Sequence, residues 1–329
     1  MKLITKLVIA LDIFVIFCFL FVYGPIEYAK NFWITTAMET GTHKYLAYIF
    51  YSEDTISEVM SKNSLETIKE ETDISTITIG KHEKKTVYES VYEQQILEHD
   101  DEDLYKLIEF KYGDFDCYLI AIYDPTRIEA VVASTTGGGK ILSDISKEHD
   151  AILAINGGGY SWANGKPTGL IVNNSELVYA SGYGTFLTGA FNEDGILFVG
   201  NMSASEVKEK KIKEALSFGP ALIVNGRAAA IQGTGGSGMN PRTVVAQRQD
   251  GIALFLVVNG YGQKLSWKGR GGVYYSDLIT ILERYGAYNA VNMDGGSSTT
   301  LVINHELINS PCEPQKEGQD FIRTAWILK

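Results

Sequence analysis

From residue 107 onward the chain is a succession of short apolar runs, each cut off by glycine, asparagine or aspartate. The runs 118–123, 128–133, 151–155, 170–172, 196–199, 221–224, 244–247, 252–258, 290–293 and 300–303 all qualify as strands bounded by turn residues. Two stretches, 205–216 and 275–285, read as helices. Strand–helix alternation this sparse argues against a doubly wound sheet. It predicts an α+β domain of mixed or antiparallel β-sheets with a few helices. The 33 glycines, gathered in clusters, fit the many tight turns such sheets need.

Several of those turns carry chemistry. After the run 290–293 come Asp294, Gly295, Gly296 and four hydroxyl residues, Ser297, Ser298, Thr299 and Thr300. The glycines let a ligand approach the main chain, and a carboxylate ringed by donors suits a polar-ligand site. The same residues are also good hairpin chemistry, so the stretch reads as strand, tight turn, strand in either case. A second cluster, Asn156-Gly157-Gly158-Gly159-Tyr160 followed by Lys166-Pro167-Thr168-Gly169, offers an amide and backbone N–H groups that can face an anion. A third, Ser217-Phe218-Gly219-Pro220, is turn punctuation, with the Gly219 backbone available to line a pocket. In a fourth, Asn240-Pro241-Arg242-Thr243, an arginine follows a glycine loop and can clamp a phosphate or carboxylate, or simply pair with a surface acid.

Other classes are excluded or disfavoured. A formal charge of −11 with no basic stripe argues against nucleic acid as a partner. Gly137-Gly138-Gly139-Lys140 lacks P-loop spacing, and no Gly-x-Ser-x-Gly elbow occurs. The five histidines are dispersed, and Cys18, Cys117 and Cys312 show no metal spacing, so neither a metal nor another cofactor is expected. Cys18 lies in the first apolar segment, which leaves Cys117 and Cys312 as the one available disulfide pair.

Residues 7–23 form an apolar run about as short as a membrane-spanning helix can be. Asp12 costs it roughly 2.5–3.5 kcal/mol if it lies centrally, which the surrounding Phe, Ile and Leu can offset. Tyr23-Gly24-Pro25 is a poor cleavage site, so an uncleaved anchor is expected over a signal peptide. Lys2 and Lys6 precede the run and place the N-terminus in the cytoplasm. The expected organisation is therefore a cytoplasmic end and transmembrane anchor at 1–24, a stalk and linker at 25–106, and a catalytic-type domain at 107–329. Within the stalk, two helices meet near Gly41-Thr42, and the charged stretch 71–106, with its basic run 81–85, reads as a polar spacer that is partly helical at 88–97.

Taken in order, 154–160, 167–169, 217–220, 240–243 and 292–299 resemble the phosphodiester glycosidase family. That is the domain of the N-acetylglucosamine-1-phosphodiester α-N-acetylglucosaminidase "uncovering" enzymes and of bacterial exopolysaccharide-biosynthesis-type relatives. The resemblance covers roughly 107–329, and 45–63 further resembles the membrane-proximal segment of anchored members. It implies hydrolysis of a GlcNAc-1-phosphate-like diester at the anomeric carbon, in a cell-envelope glycan or exopolysaccharide outside the membrane. Arg242 and the N–H groups around Gly157 and Gly158 would then neutralise the phosphate, with Asn156 and Thr168 orienting the substrate. Thr243, Gly219, Gly295, Gly296, Ser297 and Ser298 would line the site. Asp294 would attack, act as base or stabilise the oxocarbenium ion, and Glu109, where relatives often carry an acid, would be the second carboxylate. One departure stands out: Asn259-Gly260-Tyr261 replaces the usual Asp-Gly-Arg, with Arg270 a possible substitute for the lost charge. That departure favours the competing reading, a non-catalytic module that binds anionic glycan during export or attachment.

Overall fold

A computed structural model of the chain describes residues 2–24, 27–40, 43–80, 87–262, 271–312 and 316–329. Gly41-Thr42, the basic run 81–85 and Arg270 lie outside the described residues. The chain divides into two compact units, 1–66 with 230–238, and 67–229 with 239–329.

The smaller unit begins with the helix Lys2–Tyr23, whose Leu7, Ile9, Leu11, Phe14, Phe17 and Phe19 are exposed. The expected transmembrane span is not established: among the described residues no helix is long and apolar enough to cross a membrane. The helices Glu27–Met38, Tyr45–Phe50 and Glu53–Ser61 follow. They close on Ile34, Ala37, Ala47, Ile56 and Val59. Ser52 caps the third of these helices by accepting from the Thr55 N–H at 3.3 Å, the chemistry that stops fraying at a helix start. A short ribbon, Ser64–Leu65 with Ile231–Gln232, completes the unit.

The larger unit is built on three sheets among the described residues, and every strand pair in them is antiparallel. In spatial order the first sheet runs Arg227–Ala228, Ala221–Val224, Ala287–Asn292, Arg242–Arg248, Ala253–Val258, Phe115–Ile122 and Tyr105–Tyr112. The second runs Glu176–Ala180, Leu170–Asn173, Ile212–Ser217, Thr185–Asn192 and Leu197–Ser203. The third runs Glu306–Leu307, Leu301–Ile303, Leu153–Asn156, Thr324–Leu328 and Ile128–Val132. Side chains from all three meet in one core around Ile120, Ile155, Phe191, Phe255, Val291 and Trp326. Burial on both faces explains why these strands read as continuous apolar runs. The α+β expectation holds.

One local expectation does not. The stretch 205–216, read as a helix, is a single turn, Glu206–Glu209, followed by the strand Ile212–Ser217. Ile212, Ala215 and Leu216 are buried there among strands, so sheet packing overrides helix propensity. Cys117 and Cys312, the one pair the sequence left available, form no disulfide, and burial pushes the Cys117 thiol up to about 12. The stretch 67–106, meanwhile, is part of the larger unit. Thr72 exchanges hydrogen bonds with Val199, and Gln95 accepts one from the Tyr285 hydroxyl at 3.0 Å.

One buried acid ties this unit together. Glu214, 1% exposed, accepts from the Ala130 and Asn174 N–H groups at 2.9 and 3.0 Å and from the Asn173 side chain at 3.3 Å. Glu214→Ala would leave three donors without an acceptor. It is expected to cost about 3 kcal/mol or more in urea-melt stability at neutral pH.

Candidate active site

The chain leaves the first sheet at Asn292 and enters the third at Leu301. The polar turn between them is therefore a crossing from one sheet to another, not the hairpin its residues resemble. That crossing holds Asp294 where the two sheets meet. The Asp294 N–H donates to Gly157 O at 3.1 Å, the Met293 N–H to Thr243 O at 2.8 Å and the Gly296 N–H to Pro241 O at 2.9 Å. Gly296 has φ +64, a backbone conformation open to glycine at little cost.

Asn156 fixes the crossing from beneath. It is fully buried; its Nδ2 donates to Asp294 O at 2.6 Å, and its Oδ1 accepts from the Thr243 hydroxyl at 2.6 Å and the Thr300 N–H at 3.2 Å. Both ends of the amide thus go to protein partners, and Asn156 orients the Asp294 turn. Asn156→Ala is expected to lower thermal stability by about 3 kcal/mol, because a donor, a hydroxyl and a carbonyl all lose their buried partner.

The triple glycine is explained by crowding. A side chain at Gly157 would meet Leu216 Cδ1 at 2.5 Å, one at Gly158 would meet Ser217 O at 2.6 Å, and one at Gly159 would meet the Phe218 ring at 2.5 Å. The N–H groups of Gly157 and Gly158 donate to Thr324, to its O at 3.0 Å and its Oγ1 at 2.9 Å. Thr168 donates to Gly159 O, and Gly219 O accepts from the Asn292 amide at 2.9 Å.

The Asp294 carboxylate accepts from the Gly295 N–H at 3.0 Å and the Ser298 hydroxyl at 2.9 Å. Part of the residue still reaches solvent, but protein packs closely round the carboxyl. Desolvation is the largest influence and pushes its pKa up to about 6; the two donors and Arg323 pull it down, and Asp320 pushes it up. Asp320 is the second acid. Its Oδ2 lies 3.1 Å from Ser297 Oγ and 3.5 Å from Ser298 Oγ. One serine hydroxyl therefore stands between two carboxylates, and ordinary hydrogen-bond angles put their facing oxygens roughly 5 Å apart. A hydroxyl has one hydrogen, so it serves one carboxylate as donor and can accept from the other only when that one is protonated.

Two arginines flank the turn. Arg242 is buried at 4% exposure, with its Nε donating to Val273 O at 3.2 Å and its guanidinium 4.2 Å from the Tyr275 ring centre. Alternation along its strand sends Thr243 to Asn156 and Arg242 to the opposite face. Arg323 lies 3.6 Å over the Tyr160 ring and donates through Nε to Gly165 O at 2.9 Å and through Nη1 to Phe321 O. Its charge acts on Asp294.

Glu109 is not brought to this turn. It is exposed on Tyr105–Tyr112, in the cross-strand row Glu109–Tyr118–Val257–Thr243, three strand spacings or about 14 Å from Thr243. Asn259 is 4% exposed, and its Oδ1 takes donors from the Asn309 amide at 3.1 Å and the Ser310 N–H at 3.2 Å. Asn309 in turn holds Thr299 O and the Leu301 N–H. The Asn259 departure thus falls on buried scaffolding behind the turn. Asp320 and Arg323 escaped the sequence reading because the strand Thr324–Leu328 was not identified. The strand-end pattern that singled out Asp294 and Asn156 would have found Arg323, which directly precedes that strand.

The sequence profile of the phosphodiester glycosidase family matches residues 149–328. The chain belongs to that family. Among its similar proteins is N-acetylglucosamine-1-phosphodiester alpha-N-acetylglucosaminidase of Mus musculus, 26% identical over 219 residues, which are 60% of this chain and 41% of the mouse protein. Another is the SPbeta prophage-derived uncharacterized protein YomE of Bacillus subtilis (strain 168), 28% identical over 185 residues, 54% of this chain and 28% of YomE. The matched regions span less than half the length of these relatives. The zebrafish N-acetylglucosamine-1-phosphodiester alpha-N-acetylglucosaminidase catalytic domain, solved auto-inhibited by its pro-peptide, shares the fold. Its TM-score is 0.57 at 19% identity, covering 70% of this chain and 85% of that one. This family member therefore places all the residues of its Asp294 turn within the matched region.

Proposed function

We propose that the protein hydrolyses sugar-1-phosphodiesters at the anomeric carbon, using Asp294 and Asp320 as its two carboxylates within the larger unit, 67–229 with 239–329. The observation that carries this reading is the Asp294–Ser298–Asp320 array beside Arg323. A phosphate monoester leaves as an anion, so the reaction needs charge neutralisation more than a strong acid, and Arg323 supplies it. Two carboxyl groups about 5–5.5 Å apart suit double displacement, whereas inversion needs about 6.5–9.5 Å to admit a water. On this reading Asp320, held by the Ser297 hydroxyl, attacks the anomeric carbon and forms a glycosyl ester as the phosphate departs. Asp294, with its pKa near 6, then takes a proton from the water that cleaves the ester. Arg242 and Asn156 hold the turn rather than the substrate.

The stereochemical consequence is testable. Proton NMR of the first-formed sugar from an α-linked GlcNAc-1-phosphate methyl diester is expected to show the α-anomer. Initial formation of the β-anomer would rule out the double displacement.

The exposed apolar shell of the helix Lys2–Tyr23 supports membrane attachment through that helix, with Lys2 and Lys6 on the cytoplasmic side and the larger unit outside. The substrate would then be a cell-envelope glycan. Carbonate extraction and protease protection of the native chain test this: release by carbonate, or a catalytic unit shielded from external protease, would refute it. The binding-module alternative rests on the Asn259-Gly260-Tyr261 departure, of which Asn259 bonds to Asn309 and Ser310 rather than facing the Asp294 carboxyl.

A further inference from the structure

Asp320 belongs to no helix or strand. It lies between the short turn Lys316–Gly318, where Glu317 and Gly318 take φ +61 and +87, and the strand that begins at Thr324. Its Oδ1 accepts from the Phe321 N–H at 2.7 Å, which leaves Oδ2 to face the Ser297 hydroxyl at 3.1 Å. With one oxygen bound to its own backbone, the place of the other follows the main chain on either side. After Asp320, Ile322 exchanges backbone hydrogen bonds with Lys140 at 3.0 and 3.1 Å and packs with Leu142 and Ile145. Before it stands Gln319, 2% exposed. Gln319 Oε1 accepts from the Ser143 N–H at 3.1 Å, and its Nε2 donates to the Ser143 hydroxyl at 2.8 Å. Ser143 lies in the first turn of the helix Leu142–Glu148, so both anchors of Asp320 run to one stretch of chain, 140–145. Packing alone would be met by an apolar side chain of the same length. The amide adds direction, because its donor and its acceptor are both matched to one serine.

We propose that Gln319 is a positioning residue for the second carboxylate: by gripping Ser143 it fixes the backbone ahead of Asp320 and keeps Asp320 Oδ2 facing the Ser297 hydroxyl. Its importance for turnover rests on the hydrolase reading, in which Asp320 attacks the anomeric carbon. An attacking atom has to stand about 3–3.5 Å from the carbon it attacks, and a misplacement of about 1 Å caused from outside the site can cost about 10²-fold in rate. Gln319 acts only through Asp320 and touches no reacting atom. Without its grip, the backbone of Asp320 is tied to 140–145 from the Ile322 side alone.

The test compares the full chain with its Gln319→Met, Gln319→Glu and Ser143→Ala variants. Turnover is measured on a GlcNAc-1-phosphate methyl diester, and amide hydrogen exchange is followed by mass spectrometry. Methionine keeps the length and fills the space but bonds neither group of Ser143, whereas glutamate still accepts from both. Gln319→Met is expected to lower kcat about 10²-fold with KM unchanged, the pattern of a contact made only in the transition state. Exchange should quicken at 316–323 and stay as in the wild type at 324–328. Gln319→Glu should recover most of the kcat. Ser143→Ala, which keeps the N–H, should lose less in the same direction, and it carries the comparison if Gln319→Met does not fold. A merely structural role would speed exchange throughout the larger unit and leave the kcat of the folded protein unchanged. That result would overturn the proposal, as would a Gln319→Glu protein as slow as Gln319→Met. Wild-type chain without turnover would sink the hydrolase reading. Exchange quickened only at 316–323 would then still support the hold on Asp320, and unchanged exchange there would overturn it, so the two failures are distinguishable.

Discussion

Asp294→Asn is expected to abolish turnover and, at the same time, to stabilise the fold above pH 6. The carboxyl has a folded-state pKa of about 6 against an ordinary value of 3.8. A group raised in this way contributes its stability fully below the unfolded pKa, near pH 4, and loses it as the pH climbs through the folded value. Two pKa units correspond to about 3 kcal/mol, so the ionised wild type at pH 7 carries a strain of about that size. Asparagine keeps an oxygen for the Gly295 N–H and never ionises. The variant and the wild type should therefore melt alike at pH 4 and diverge by up to about 3 kcal/mol by pH 7.5. Glu214, which burial pushes up to about 7, titrates in the same range, but it is common to both proteins and cancels in the difference. Activity should fall about 10²–10⁴-fold, the usual loss when a positioned acid–base group is removed. An asparagine variant that retains full activity would dismiss Asp294 from the chemistry. One that is less stable than wild type at pH 7.5 would show that the carboxylate is welcome where it sits.

Arg323→Lys is expected to lower kcat/KM by about 10²–10³ while leaving the fold intact, because Arg323, whose charge acts on Asp294, is the cation proposed to offset the leaving phosphate, and such a donor is worth about that much. Lysine keeps the charge but cannot lie flat on Tyr160 while donating to Gly165 O, so the cation is no longer held in place. Arg242→Ala should have the opposite profile. Its guanidinium is buried between Tyr275 and Val273 O, so its loss is read first in the melting temperature. Measuring kcat/KM and thermal stability side by side separates the two. A stable Arg242→Ala protein without activity, together with a fully active Arg323→Lys protein, would return the phosphate to Arg242.

The contrast between those arginines shows how far the residues could be read without the fold. Asp294, Asn156, Arg242 and Thr243 were found because each ends or begins an apolar strand, and hydrophobic alternation and glycine punctuation are local properties. The same locality found the antiparallel strands and the helix at 275–284. It failed at 212–217, where five of six residues are buried in a strand lying between two others, an environment visible only once the sheet exists. It failed again over the second carboxylate. Glu109 sits inside the strand Tyr105–Tyr112 and Asp320 just ahead of Thr324–Leu328, and local pattern does not rank them.

Composition and strand punctuation by themselves determined an α+β domain without nucleotide or metal motifs, and a polar turn centred on Asp294. The tertiary structure decided what that turn is: a crossing between two sheets, pinned from beneath by a buried amide 138 residues earlier in the chain. It also decided which acid stands across Ser298 and which guanidinium acts on the pair. The physical reason is that desolvation, charge coupling and a shared hydroxyl depend on distances of a few ångströms between segments far apart in sequence, and only the packed sheets set those distances.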